Sequence, residues 1–327
     1  MRGWQLATNG DPADVLVLDD LVDPAPNEHE VLISVEATNV NFADILQCQG
    51  KYQEKPELPF TPGVETCGIV VDAGSSGVCR VGDRVVGMTS SGAGGYAELA
   101  LLASRSVLVI PPEVSADVAT VLFTTYQTSH VALHHRAALQ AGETLLVHGA
   151  SGGVGSSAVQ LGAAAGAIVI ATAGGADKCA YVASLGAHHV IDTHSEDVYE
   201  TVMELTGGSG VDVAYDAVGG ELGDLTRRLM AWEGRLLIIG FAAGGVPQYP
   251  ANHALVKNYS IIGLYWGSYL TPERRHVVDE AHADILAAYE AGKIDPPKVE
   301  AVALDDLLDA LGRIQRREVS GRLVITP

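Results

Sequence analysis

A chain of 327 residues, 47% of them hydrophobic, is long enough for two domains and a sizeable buried core. Its 20 basic and 40 acidic side chains give a formal charge of −20, which opposes a phosphate backbone or an anionic membrane and argues against nucleic acid as a partner. The most apolar stretch, Leu161 to Ala176, is interrupted by Gly and Thr and is too short to span a bilayer; MRGWQLATNGDP has no signal-peptide core; Cys48, Cys67, Cys79 and Cys179 show no metal or redox spacing. A cytoplasmic protein with reduced thiols and no membrane partner is expected.

From Trp4 to Val35 short extended runs alternate with turn residues and read as β structure. In ATNVNFADILQCQGKY, Asn39 or Asn41 is placed to cap a short helix with apolar positions Phe42, Ile45 and Leu46, ended by Gly50. Pro59, Pro62 and Gly63 lead to a strand at Cys67 to Val71, and GDRVVG and GGYAEL repeat the strand-and-turn pattern. The first 120 or so residues are therefore mainly β. Near Pro111 and Pro112 the spacing turns helical through Val118, Val121, Leu122 and Tyr126.

Thr144 to Ala176 reads as strand, glycine turn, helix and strand. Ala150, Gly152 and Gly155 keep the spacing of the dinucleotide fingerprint, between a strand at Thr144 to His148 and a helix from Gly153 to Ala165. The helix N-terminus suits a pyrophosphate. The fingerprint's acid, about 20 residues on for the 2′-hydroxyl of NAD, is missing. Thr172, Ala173, Gly174 and Gly175 end the second strand, with Asp177 late and Lys178 beside it, so NADPH is the expected cofactor. Helices and strands then alternate to Ile261–Trp266, the mark of a parallel sheet covered on both faces. A long helix near Pro272 to Ala291 and a last strand near Arg322 to Ile325 are expected to return to the first domain.

Eight blocks in order, NVNFADILQCQGKY, PFTPGVETCGIV, VGDRVVG, GGYAEL, HGASGGVG, GVDVAYDAVGG, GRLLIIGFAAGGVPQ and KNYSIIGLYWGSY, give the chain a resemblance to the zinc-independent quinone oxidoreductases of the medium-chain dehydrogenase/reductase superfamily. The resemblance implies an α/β fold: a Rossmann doubly wound parallel sheet at 122–266, and a mainly β GroES-like catalytic domain at 1–121 that is completed by 267–327. It also implies an NADPH-dependent enzyme that passes hydride to a quinone. The zinc-dependent relatives place His-Glu where this chain has Val64-Glu65, and a cysteine run that GGYAELALLASRSVLVIPP lacks, so no metal is expected. The pairs His134-His135 and His188-His189 read as solvated surface.

By the same resemblance, Tyr52 hydrogen-bonds the acceptor oxygen and Asn41 holds nicotinamide or substrate, although a packed Tyr52 and a merely capping Asn41 are the competing readings. Thr128 faces the nicotinamide; Gly152, Gly153 and Val154 hold the pyrophosphate; Gly174, Gly175 and Lys178 surround the 2′-phosphate. Relatives have a Tyr near the adenine where this chain has Asp192, Thr193 and His194, and His194 is the expected substitute. Val218, Phe241, Ala242, Trp266 and Gly267 line the nicotinamide and ribose channel, with Arg322 closing it. Related proteins dimerise by pairing the last Rossmann strands, here Ile261 to Tyr265, so the resemblance implies a homodimer. An enone, alkenal, haloacrylate or enoyl-thioester C=C reductase is the near alternative, and an NADPH-binding protein without significant turnover the more distant one.

Overall fold

The computed structural model describes residues 1–52, 55–90, 94–296, 299–319 and 321–327. The chain divides into two compact units, one of Met1–Thr124 with Pro297–Pro327 and one of Thr125–Pro296.

The first unit is mainly β. Strands β1 (Arg2–Leu6) and β2 (Leu16–Asp20) form an antiparallel pair. A second sheet takes β3 (Glu30–Asn39), β4 (Glu65–Asp72), β5 (Arg84–Met88), β6 (Leu99–Ala103) and β7 (Leu108–Val109). Chain-terminal strands β14 (Val299–Ala303) and β15 (Arg322–Thr326) complete it in the order β14-β15-β3-β4-β5-β7, with β6 also on β3. Helix α2 (Phe42–Cys48) follows β3, and α11 (Leu307–Gln315) lies between the last two strands. Trp4, Leu6, Ile45, Leu307, Leu311 and Ile325 share one core cluster, and the Trp4 indole N–H donates to the Leu304 carbonyl at 2.7 Å. The two ends of the chain are thus packed into one body. Of the expected apolar face of α2, Ile45 is buried but Phe42 points outward, 49% exposed.

The second unit is a six-stranded, wholly parallel sheet. In chain order its strands are β8 (Thr144–His148), β9 (Ile168–Ala173), β10 (His189–Asp192), β11 (Val211–Asp216), β12 (Met230–Ile238) and β13 (Ser260–Gly263), and in space they run β10-β9-β8-β11-β12-β13. That is the doubly wound order, with its switch point between β8 and β11. Central strands read as unbroken apolar runs because helices cover both faces. Leu145, Leu146, Val213 and Ala214 are without solvent exposure. The covering helices include α5 (Gly153–Ala164), α6 (Ala176–Ser184), α7 (Val198–Leu205), α8 (Gly220–Leu229) and α10 (Arg275–Glu290).

The return to the first unit comes after Pro296, some thirty residues beyond the expected 267. Residues 267–296 stay with the second unit because their side chains are tied there. The His135 and Tyr269 rings meet edge to face at 5.7 Å, His130 Nε2 lies 3.2 Å from Asp284 Oδ2, and Gln160 exchanges hydrogen bonds with the Asp295 backbone at 2.6 and 2.7 Å. No helix of the described residues is long and apolar enough to cross a membrane.

Candidate active site

In the second unit the expected cofactor residues gather at the carboxyl ends of the parallel strands, where an open α/β sheet binds ligands. Gly152 caps α5 with extended backbone and no side-chain cap, which leaves the first N–H groups of a 12-residue helix for an anion. Gly153 and Val154 are its first residues. The turn between β8 and α5 starts at Gly149, with φ of +64°, and a Cβ there would sit 2.8 Å from Val218 Cγ2. This glycine, which the fingerprint spacing does not single out, lets β8 and β11 approach at the switch point. Val218 and Gly219 are fixed in turn by donating their N–H groups to Asp216 Oδ1, each at 2.9 Å.

Thr128 lies on helix α4 (Thr124–His130), and its neighbour Ser129 anchors the segment. Ser129 Oγ donates to the Val154 carbonyl at 2.9 Å and lies 2.8 Å from both Ser157 Oγ and Tyr215 Oη. This polar knot ties Thr128's segment to the first turn of α5. Isolated Ser and Tyr residues carry no spacing signal, so the sequence does not reveal it.

After β9, Gly174 and Gly175 turn into α6, and a Cβ on Gly174 would lie 2.7 Å from His194 Nε2. The imidazole of His194 therefore lies over the glycines, and half-buried Lys178 sits in the first turn of α6. Asp192 is turned into the loop: its Oδ1 accepts from the Gly175 N–H at 2.8 Å and the His194 N–H at 3.0 Å, which holds its carboxyl below the usual range. Those bonds bring the two loops together.

Ala242 donates its N–H to the Ala217 carbonyl at 3.2 Å, placing it beside Val218. Phe241, in the same loop, is 43% exposed and so is not core, whereas Trp266 is buried in a short 3₁₀ turn with Gly267 following it. At the sheet edge, Ile261 and Tyr265 are 38% and 57% exposed.

The expectation for the paired histidines needs correction in part. His134 is half-buried with its ring 4.5 Å from that of His130, because the segment Val131–Arg136 packs against α10; burial lowers both imidazoles, His130 to about 4. His188 is exposed, but its Nδ1 accepts from the Val169 N–H at 3.0 Å. His148, the last residue of β8, is fully buried between Thr172 Oγ1 at 3.2 Å and Thr226 Oγ1 at 2.9 Å, and desolvation lowers it to about 4.

In the first unit, Asn41 stands at the N-cap of α2, where it forms a capping box with Asp44, and its side chain also reaches beyond the helix. Its Nδ2 donates to Glu65 Oε1 at 2.7 Å and its Oδ1 accepts from Arg322 Nη2 at 2.8 Å, so Arg322 comes to Asn41 as part of the same cluster. Its partner in the capping box, Asp44, accepts from the Asn41 N–H at 2.8 Å, the Val64 N–H at 3.0 Å and the Tyr96 hydroxyl at 2.7 Å. Burial nevertheless pushes Asp44 up to about 6. Tyr52, half-buried, lies past the far end of α2, and the seven residues of that helix span roughly 10 Å at 1.5 Å each. Asn41 and Tyr52 therefore bracket α2. Among the described residues no three His, Cys, Asp or Glu side chains group to hold a metal ion.

A mainly β unit completed by the chain's own C-terminus, together with a doubly wound parallel sheet carrying a glycine turn, is the architecture of a medium-chain dehydrogenase/reductase. The family description "Alcohol dehydrogenase GroES-like domain" matches residues 27–112 and "Zinc-binding dehydrogenase" matches 153–283. Quinone oxidoreductase-like protein 2 of Bos taurus is 35% identical over 99% of this chain and 93% of its own, and a homolog of that protein from Nematostella vectensis is 39% identical over 90% and 81%. The crystal structure of Escherichia coli quinone oxidoreductase complexed with NADPH matches with a TM-score of 0.90 at 27% identity, covering 100% of both chains. The chain belongs to the quinone oxidoreductase family of the medium-chain dehydrogenase/reductases.

Proposed function

We propose that the protein is an NADPH:quinone oxidoreductase that works without a metal, in the cytoplasm and as a homodimer. The observation that carries the cofactor half is the grip at the strand ends: an uncapped helix N-terminus at Gly152 to Val154, and a second turn at Gly174 and Gly175 where His194 and Lys178 replace the acid that would select NAD. The Escherichia coli relative was solved with NADPH, which supports the same cofactor for this chain. Bound there, NADPH supplies the hydride.

The chain's own residues do the rest. Gly152, Gly153 and Val154 hold the pyrophosphate by backbone N–H groups, while Gly174, Gly175, Lys178 and His194 receive the 2′-phosphate. Thr128, Val218, Phe241, Ala242, Trp266 and Gly267 line the nicotinamide and ribose. Asn41 orients the reactants, and the Tyr52 hydroxyl donates a hydrogen bond to the acceptor oxygen as negative charge develops on it. A quinone accepts hydride without a Lewis acid because the product, a hydroquinone phenolate, is aromatic. The exposed edge of β13 with Ile261 and Tyr265 is the surface on which a second copy pairs.

The test is NADPH oxidation by the purified protein over a panel of quinones and activated alkenes. Turnover with quinones supports the reading. Turnover with alkenes alone would assign C=C reduction, and tight NADPH binding with no acceptor would assign a binding protein.

A further inference from the structure

Glu65 opens β4 with no part of it exposed to solvent. A buried carboxylate is stable only with partners, so its partners define its work. Its Oε1 accepts from Asn39 Nδ2 and Asn41 Nδ2, each at 2.7 Å, and its Oε2 accepts from the Thr124 N–H at 3.2 Å. Arg322, 9% exposed, puts Nη2 4.0 Å from Glu65 Oε1 and 2.8 Å from Asn41 Oδ1. The sheet brings these residues together: Val324 of β15 pairs with Asn39 of β3, and Thr38 of β3 pairs with Thr66 of β4, so Arg322, Asn39 and Glu65 come from adjoining strand ends.

The Asn41 amide lies between a carboxylate that only accepts and a guanidinium that only donates. Of its two flipped orientations, one satisfies both neighbours, with nitrogen toward Glu65 and oxygen toward Arg322. An apolar core would serve packing alone without the desolvation of two ions. We infer that Glu65 is a positioning residue for Asn41: its carboxylate, opposed by Arg322, locks the amide so that the second Nδ2 proton points at the reactants. The inference rests on the reading of Asn41 as a residue that touches nicotinamide or acceptor.

Glu65→Gln, Asn41→Ala and the double variant, made in the full chain, are compared for kcat with NADPH and a quinone, for NADPH affinity and for Tm. A glutamine amide can face Asn41 either way and unlocks it. Glu65→Gln is expected to lower kcat about tenfold or more, with a smaller change in NADPH affinity, and the double variant to be no slower than Asn41→Ala alone. Losses that multiply in the double variant overturn the inference, as does a Glu65→Gln protein that loses Tm but keeps kcat. Should that variant fail to fold, the Asn41 side-chain amide resonances of the unaltered protein decide: two well-separated, slowly exchanging protons are expected, and the averaged shift of a solvated amide overturns the lock. The resonances do not depend on the acceptor. A protein that reduces no quinone would therefore sink the proposed reaction while leaving the lock to stand or fall on its own.

Discussion

The His194 imidazole fills the space that a side chain on Gly174 would need, since a Cβ there would lie 2.7 Å from Nε2. Gly174→Ala should therefore push the ring off the turn at little cost to the fold, because the displaced atom is the far end of a movable, exposed side chain. The expected result is NADPH affinity several-fold weaker with Tm nearly unchanged, read by cofactor fluorescence titration and thermal melting. An unchanged affinity would remove both residues from the cofactor site.

Lys178→Ala should weaken NADPH binding far more than NADH binding, because it would delete the proposed charge-assisted contact to the 2′-phosphate, worth about 1.5–3 kcal/mol. Parallel titrations with the two cofactors measure this. Equal losses would refute a phosphate role.

Much of this grip is legible in the sequence, and the reason is local. β8 is a short apolar run between glycines, and the turn that follows it must use small residues, so both leave marks within ten positions. The polar knots do not. Ser129 meets Tyr215 across 86 residues and His148 meets Thr226 across 78, and such partners exist only once the sheet order is set. The end of the second unit is hidden for the same reason, since what holds residues 267–296 there are contacts such as Gln160 with Asp295, 135 residues apart. Asn41 was legible as a cap by its position before Phe42, while the side-chain partners that redirect its amide are contributed by β4 and β15.

Two fully buried groups pull stability in opposite directions with pH. His148 is lowered from 6.5 to about 4, so its contribution is complete above about pH 6.5 and is lost as the pH falls through about 4. Asp44 is raised from 3.8 to about 6, so its contribution is complete below about pH 4 and is lost as the pH rises through about 6. Each shift corresponds to on the order of 3 kcal/mol. In the intact protein the Asp44 carboxyl carbon should titrate near pH 6 and the His148 ring should stay neutral to about pH 4, both by NMR. A His148 midpoint near 6.5 would contradict the burial argument.

Gln127 is fully buried, and neither its Nε2 nor its Oε1 has a hydrogen-bond partner among the described residues. An orphaned amide is costly, and a methionine of similar shape avoids the cost. Gln127→Met should therefore raise stability by about 1 kcal/mol in denaturant melts. A loss of stability would mean that the amide is already satisfied, for example by an internal water.

Tyr52→Phe removes only a hydroxyl. Turnover is expected to fall about tenfold or more with NADPH affinity intact, as for loss of one donor to a developing oxyanion. Steady-state kinetics beside a binding titration separate the two, and an unchanged kcat would return Tyr52 to packing.

The first unit is discontinuous, and this orders assembly in time. Arg322 reaches Asn41 across 281 residues, and β15 supplies a neighbour that β3 lacks until residues 322–326 have been made. The second unit is a single uninterrupted segment and needs nothing from either terminus to close its sheet. During synthesis the N-terminal strands emerge first, yet they are the last to be completed, so the nucleotide-gripping unit can be whole while the Asn41 clamp still awaits its final strand.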